Sequence, residues 1–210
     1  MDLAPIYRFL ARIKVLALFN RLVTKAERVI TSYRYDLYGS QYDLHDSFLK
    51  RRNKGILLYE DGEIRSGPGS YIGRYSRIKA GESTQVSIGS GCAISHSVAI
   101  YTTSWLPDQD FSDRNPYDYD ELESYSGDVV IGDDVWIGYG VFITPGTQVG
   151  ENSVIGANAV VTRDVPPHSI AVGTPARVVK FKRYVSEERK QELANQYRGV
   201  LSDELREKHG

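Results

Sequence analysis

The sequence predicts a mainly β chain: a parallel β-helix with three-sided turns, helices at both ends and one long inserted loop. Three observations predict it. Ile131, Ile137, Ile143, Val149, Ile155 and Val161 are aliphatic at a strict interval of six. Each is followed by Gly132, Gly138, Thr144, Gly150, Gly156 or Thr162, and four residues on stands a small or β-branched residue: Val135, Val141, Thr147, Ser153, Ala159 or Val165. Between Ile100 and Ile131 this beat stops, in a stretch rich in Asp, Glu and Tyr. A helix needs apolar recurrence near 3.6 and an ordinary strand a period of two. A beat of six instead gives one short strand and one corner per unit. Three units close a turn of about 18 residues, and successive turns stack at roughly 4.8 Å like strands in a sheet. Ile131 then lies over Val149, Ile137 over Ile155 and Ile143 over Val161. The aliphatic ladder fills the interior, and Gly and Thr suit tightly turned or strand-like backbone beside it.

In chain order, residues 1–70 read as a helical N-terminal region with a short extended segment. Ile6, Phe9, Ile13, Leu16 and Val23 lie at helical spacing, and Leu10, Phe19 and Leu22 widen the stripe. Up to residue 34, the basic residues Arg8, Arg12, Lys14, Arg21, Lys25, Arg28 and Arg34 face only Asp2 and Glu27. Packing on the coil or on a partner subunit explains such a helix, and an anionic membrane surface is the alternative. The coil is expected over 71–180. Ile72-Gly73 and Ile78 start the beat, a slip of four follows, and Ile88-Gly89, Ile94 and Ile100 resume it. Residues 105–126 form the inserted loop, of a length that is often functional. Pro166-Pro167 ends the regular coil, since proline cannot donate to the ladder. Residues 181–210 read as a C-terminal helix, capped by Ser186 ahead of Glu187 and Glu188, with Leu193, Tyr197, Leu201 and Leu205 as its docking stripe.

The 210 residues carry a net charge of −1, which gives no reason to expect nucleic acid as a partner. The single cysteine, Cys92, excludes an internal disulfide framework and suits a reducing compartment. It falls four after Ile88 and should point inward as a small filler. No run of about 18 apolar residues appears, and the start lacks a signal-peptide cleavage site. The expected location is cytoplasmic, with the N-terminal helix leaving open a peripheral contact at the inner face of the membrane.

The run VVIGDDVWIGYGVFITPGTQVGENSVIGANAVVTRDVPPHSIAVGTPARVVKF, residues 129–181, resembles the hexapeptide-repeat acyltransferases. Within that family it is most like the sugar O-acetyltransferases, which act on maltose, galactosides, nodulation factors and bacterial surface polysaccharides. The resemblance thins over residues 71–104 and does not reach the N-terminal helix. It implies a left-handed prism, against the usual right-handed crossover preference. It implies a homotrimer with acetyl-CoA bound in the groove between neighbouring prisms, and a saccharide or surface-polysaccharide precursor as acceptor. Trp136, just before the interior Ile137, should point outward, and the resemblance puts it near the thioester. The resemblance also maps pantetheine contacts to Tyr139, Ala157 and Thr162, and places Arg163, Arg177 and Lys180 near the adenosine phosphates, which suits cationic side chains. No metal is expected.

Acetyl transfer from a thioester to a hydroxyl needs a base for the proton and donors for the developing oxyanion. Of the four histidines, His45 and His209 read as surface, and His168 sits in the proline turn. His96 stands two residues after the interior Ile94. Serine acetyltransferases and the sugar-nucleotide acyltransferases of lipid A biosynthesis carry their catalytic histidine at that register. Galactoside and maltose acetyltransferases carry it five after an interior aliphatic, a place held here by Trp105. His96 is the expected base, against the plainer reading of a corner histidine bonded to backbone. Of the loop acids, Asp110 is preferred to Asp108 as the carboxylate that orients it. Tyr101 ahead of the loop, and Trp105 and Asp108 within it, are the expected acceptor contacts; the loop also holds Arg114, Tyr117, Asp118, Tyr119 and Tyr125.

Three alternatives stand beside this reading. A sugar-nucleotide N-acetyltransferase often carries an extra nucleotide-binding domain, and here the preceding region is short and helical. A zinc carbonic anhydrase on the same coil needs three histidine ligands, a pattern that His45, His96 and His168 do not supply. A catalytically silent scaffold or binding module is favoured by Trp105 and opposed by the CoA-like tail from Arg163 to Lys180.

Overall fold

The computed structural model describes residues 4–49, 54–112 and 122–209, with backbone alone for 4–11. The chain forms two compact units, residues 1–41 and 42–210. The first is a single helix, α1, Ala4–Gln41. The second is the coil, with parallel strands on three faces.

The first face stacks Asp43–Leu44, Glu63–Ser66, Gln85–Ile88, Val129–Ile131 and Gln148–Val149. The second stacks Tyr71–Ile72, Ala93–Ile94, Trp136–Ile137, Val154–Ile155 and Ser169–Val172. The third stacks Leu57–Tyr59, Arg77–Lys79, Ala99–Tyr101, Phe142–Ile143 and Val160–Val161. The expected ladder is present: Ile131 pairs with Val149, Ile137 with Ile155 and Ile143 with Val161. All six aliphatics and the residues four after them are buried. Each buried Ile or Val among them contributes about 1.5–3 kcal/mol by leaving water.

The corners work differently from the expectation. The backbone turns left-handed three residues after most of the aliphatics, at Ser97, Asp134, Asn152 and Asn158 among others, with φ of 54–58° at these four. The glycine one residue after the aliphatic serves close approach instead. A Cβ on Gly138 would lie 2.6 Å from the Ala157 nitrogen, and one on Gly132 2.7 Å from that of Glu151.

The coil also begins earlier than residue 71, because strands from Asp43 onward already belong to its faces. These early turns are longer than 18 residues: Ile72 faces Ile94 and Ile78 faces Ile100, each 22 residues on. The surplus is the slip of four, absorbed at the corner holding Gly81 and Thr84. There the Thr84 hydroxyl bonds the Gly81 carbonyl at 2.6 Å and the Thr102 hydroxyl at 2.5 Å. The long loop leaves and re-enters as a hairpin, with Thr103–Trp105 antiparallel to Ser124–Ser126. The Gln109 amide staples it, donating to the carbonyls of Leu106 and Glu123 and accepting from the Glu123 N–H. Arg114, Tyr117, Asp118 and Tyr119 lie outside the described residues.

Past the prolines, Ser169–Val172 still stacks on the second face, and Arg177–Phe181 returns antiparallel to it. The C-terminal region is two helices rather than one, α2 (Glu187–Gln196) and α3 (Asp203–His209), parted by a short turn at Arg198–Val200. Ser186 caps α2 as expected, its hydroxyl accepting from the Arg189 N–H. Folding back buries Leu193, Leu201 and Leu205, and also His209, which packs its ring edge-on to Phe181 instead of lying at the surface.

Candidate active site

Stacking decides which expected site residues meet. The corner joining the second face to the third brings Arg74, His96, Tyr139 and Ala157 into one column. The Gly140 N–H donates to the His96 carbonyl and the Asn158 N–H to that of Tyr139. Arg177 joins this column at its end, opposite Val172 where the second face runs out. Trp136 points outward from the second face just before the corner and is 59% exposed. Thr162 and Arg163 occupy the next corner, a whole face away, and Lys180 pairs with Ile170 on the second face. Arg163 also donates to the Gly199 carbonyl, which ties the turn between α2 and α3 to the coil.

His96 is exposed at its corner, and its Nδ1 accepts the Arg74 main-chain N–H at 2.8 Å. One column over, Asp133 does the same work at the same register, its Oδ1 accepting from the Ser90 N–H at 2.7 Å. A ring whose Nδ1 accepts a hydrogen bond carries its proton on Nε2 when neutral, so it presents a donor at the corner. Asp110 does not orient this ring among the hydrogen bonds of the described residues. Its carboxylate accepts from the Ser112 N–H at 2.8 Å, and bonds to the Ser112 side chain and backbone hold it below the usual carboxylate range. Asp108 is exposed in the same loop.

A cleft of about 770 Å³ opens beside the hairpin stem, lined by Glu60, Lys79, Glu82, Tyr101, Ser104 and Trp105 among others. Tyr101 stands edge-on between Phe142 and Tyr59, at 5.3 and 6.5 Å between ring centroids. Burial, and then the bond to Tyr101, push the Tyr59 phenol well up. Lys79 pairs with Glu60 at 3.2 Å. The sequence reading named Tyr101 and Trp105 but missed Glu60, Lys79 and Glu82. Lys79 follows the interior Ile78 and so points outward, a signal that was available; Glu60 lies in a turn without the six-residue beat.

Cys92 is fully buried, its Sγ 3.0 Å from the Gly132 carbonyl, and burial pushes the thiol up. Ellman's reagent should therefore release almost no chromophore from the native protein and one equivalent per chain in guanidinium. Ready labelling of folded protein would contradict this packing. Among the described residues no group of three His, Cys, Asp or Glu side chains is placed to hold a metal.

A three-sided parallel coil with short corners and a hairpin thrown out of one of them defines the class of left-handed β-helix proteins. The sequence model of bacterial hexapeptide transferases, six repeats long, matches residues 128–163. Among curated proteins none matches the sequence. Among solved structures, a hexapeptide-repeat acetyltransferase from Vibrio cholerae, complexed with acetyl coenzyme A, is 30% identical; the match covers 72% of this chain and 78% of that one, at a TM-score of 0.59. A galactoside acetyltransferase in complex with coenzyme A is 28% identical over 64% of this chain and 69% of its own, at 0.51. A polysialic-acid-specific acetyltransferase shares the fold at 24% identity, over 75% and 73% of the two chains, at 0.50. The chain belongs to the hexapeptide-repeat acyltransferases.

Proposed function

We propose that this protein is an acetyl-CoA-dependent O-acetyltransferase of a saccharide hydroxyl and works as a homotrimer. The observation that carries the reading is the separation of the two sets of expected donor contacts. Tyr139, Ala157 and Arg177 line one corner, while Thr162 and Arg163 line the next, roughly 15 Å away by the rise of an extended strand. A pantetheine arm lying along one edge reaches both sets only where two copies meet, which is what a groove between subunits supplies. The Vibrio relative at 30% identity, complexed with acetyl coenzyme A, supports the choice of donor.

In the proposed step the acceptor hydroxyl oxygen bonds to the thioester carbonyl carbon as His96 takes its proton. A protein N–H holds the oxyanion, the C–S bond breaks, and the thiolate leaves and takes up a proton. His96 first has to turn its ring away from the Arg74 N–H, which gives up that bond and frees the Nδ1 lone pair to take the proton. At an exposed corner that bond is worth about 1 kcal/mol, within a factor of ten in rate, so the orientation in the structure does not bar the role. The cleft at the hairpin stem lies at the Thr162 corner and is the proposed acceptor site, served across the groove by His96 of the partner subunit. The Trp105 and Tyr101 rings offer apolar faces to a sugar, and Glu82 and Ser104 offer hydrogen bonds.

The test is a calorimetric titration with acetyl-CoA, read with the mass in solution. One saturable site per subunit of a trimer is the expected result. A folded trimer that takes up no acetyl-CoA at millimolar concentration would move the reading to a silent scaffold, the alternative that Trp105 at the usual histidine register favours.

A further inference from the structure

Over residues 14–33, helix α1 divides its side chains into two halves. At 100° per residue, Val15, Leu16, Phe19, Leu22, Val23 and Ile30 fall in one arc of about 160°, which Leu18, Ala26, Val29 and Tyr33 complete. The opposite arc holds Lys14, Arg21, Lys25 and Arg28, and the one acid in the stretch is Glu27. The four cations gather along one margin of the polar arc, next to Leu18 and Val29. The apolar side chains are exposed: Leu16 by 64%, Phe19 by 62% and Leu22 by 58%.

Left bare to water, such a face is costly at about 25 cal/mol per Å². A coiled-coil seam uses a narrower stripe at a and d positions, whereas this arc covers nearly half the helix. No helix among the described residues is long and apolar enough to cross a membrane. A wide apolar arc bordered by a strip of cations fits a helix lying in the plane of an anionic bilayer, apolar side down, with lysine and arginine heads reaching the phosphates. We propose that residues 14–33 of α1 dock this protein on an anionic lipid surface. The proposal is independent of acyl transfer: it concerns the unit formed by residues 1–41 and would hold for a silent coil.

The experiment is sedimentation of the full chain with phosphatidylcholine vesicles, with and without phosphatidylglycerol, alongside mass in solution and circular dichroism. Wild type should sediment with the anionic vesicles, at least tenfold less with the neutral ones, and less again as salt is raised. The double variant R21Q/K25Q should partition about 25-fold less, at roughly fivefold per basic residue. Leu22→Asp should abolish sedimentation while mass, helix content and the unfolding of the coil stay those of wild type. The proposal falls if wild type ignores anionic vesicles, or if L22D sediments as wild type does. It falls equally if L22D breaks up the oligomer without changing sedimentation, since the face would then belong to a second copy of the chain.

Discussion

His96→Ala should lower turnover by on the order of 10²–10⁴ while leaving the acetyl-CoA dissociation constant within about twofold, the effect expected on losing a general base. Alanine alone does not separate the two roles of this residue, because it also removes the acceptor for the Arg74 N–H. His96→Asn does separate them. Asp133 shows that a side-chain oxygen can fill the same place at the same register, accepting from Ser90 in the neighbouring turn. An asparagine Oδ1 can accept from Arg74 in that way, yet it takes no proton near neutral pH. The expected result is that H96N is as slow as H96A but unfolds closer to wild type, by the worth of one exposed hydrogen bond, about 1 kcal/mol. Steady-state rates and thermal unfolding of both variants decide the matter. An H96N enzyme with wild-type turnover would make His96 a corner acceptor and leave the base to be sought at the cleft.

How far the fold could be read from the sequence follows from how strictly each part constrains it. Inside a prism only wide enough for one ring of side chains per turn, Ile131, Ile137 and Ile143 must recur at a fixed interval, so those turns were legible. The first turns were not, because their interior residues are spaced by turns of unequal length. Leu58 faces Ile78 after 20 residues and Ile64 faces Val86 after 22, so no single period shows. The corner chemistry was visible but credited to the wrong place. Asp134, Asn152 and Asn158 are residue types that tolerate the left-handed backbone, and they stand three after an aliphatic. In the C-terminal region, Leu193, Tyr197, Leu201 and Leu205 satisfy one helical stripe, yet the chain breaks at Arg198–Val200 and folds α3 back on α2.

The site was legible in its parts and not in its assembly. His96 and Tyr139 are 43 residues apart, and only the length of the hairpin puts them on one corner. The Nδ1 bond of His96 depends on Arg74 one turn earlier, a relation that local spacing does not carry. Asp110 was chosen for nearness in sequence, but its nearest partner is the Ser112 N–H two residues on, which closes a local turn.

Ile137→Ala should be among the most destabilising single truncations in the ladder. Ile137 is fully buried between Ile94 and Ile155 in the strands on either side. Large-to-small changes in a core cost about 2–5 kcal/mol, depending on how far the surroundings can collapse. Here they can collapse little. The strands are pinned above and below by main-chain bonds, Gly138 N–H to Ile155 at 2.8 Å and Ser95 N–H to Ile137 at 2.9 Å, so the hole stays open. The loss should lie in the upper part of that range. At about 2–4 °C per kcal/mol for a chain of this size, the unfolding temperature falls by roughly 6–20 °C. Trp136→Ala, one residue earlier, is the control, because its indole points outward and leaves no cavity in the ladder. Its unfolding temperature should fall far less than that of I137A, and it should weaken acetyl-CoA binding instead. Calorimetric unfolding of the two variants side by side tests the register itself: an outward Ile137 and an inward Trp136 would reverse the order, and every assignment built on the six-residue beat would shift with it.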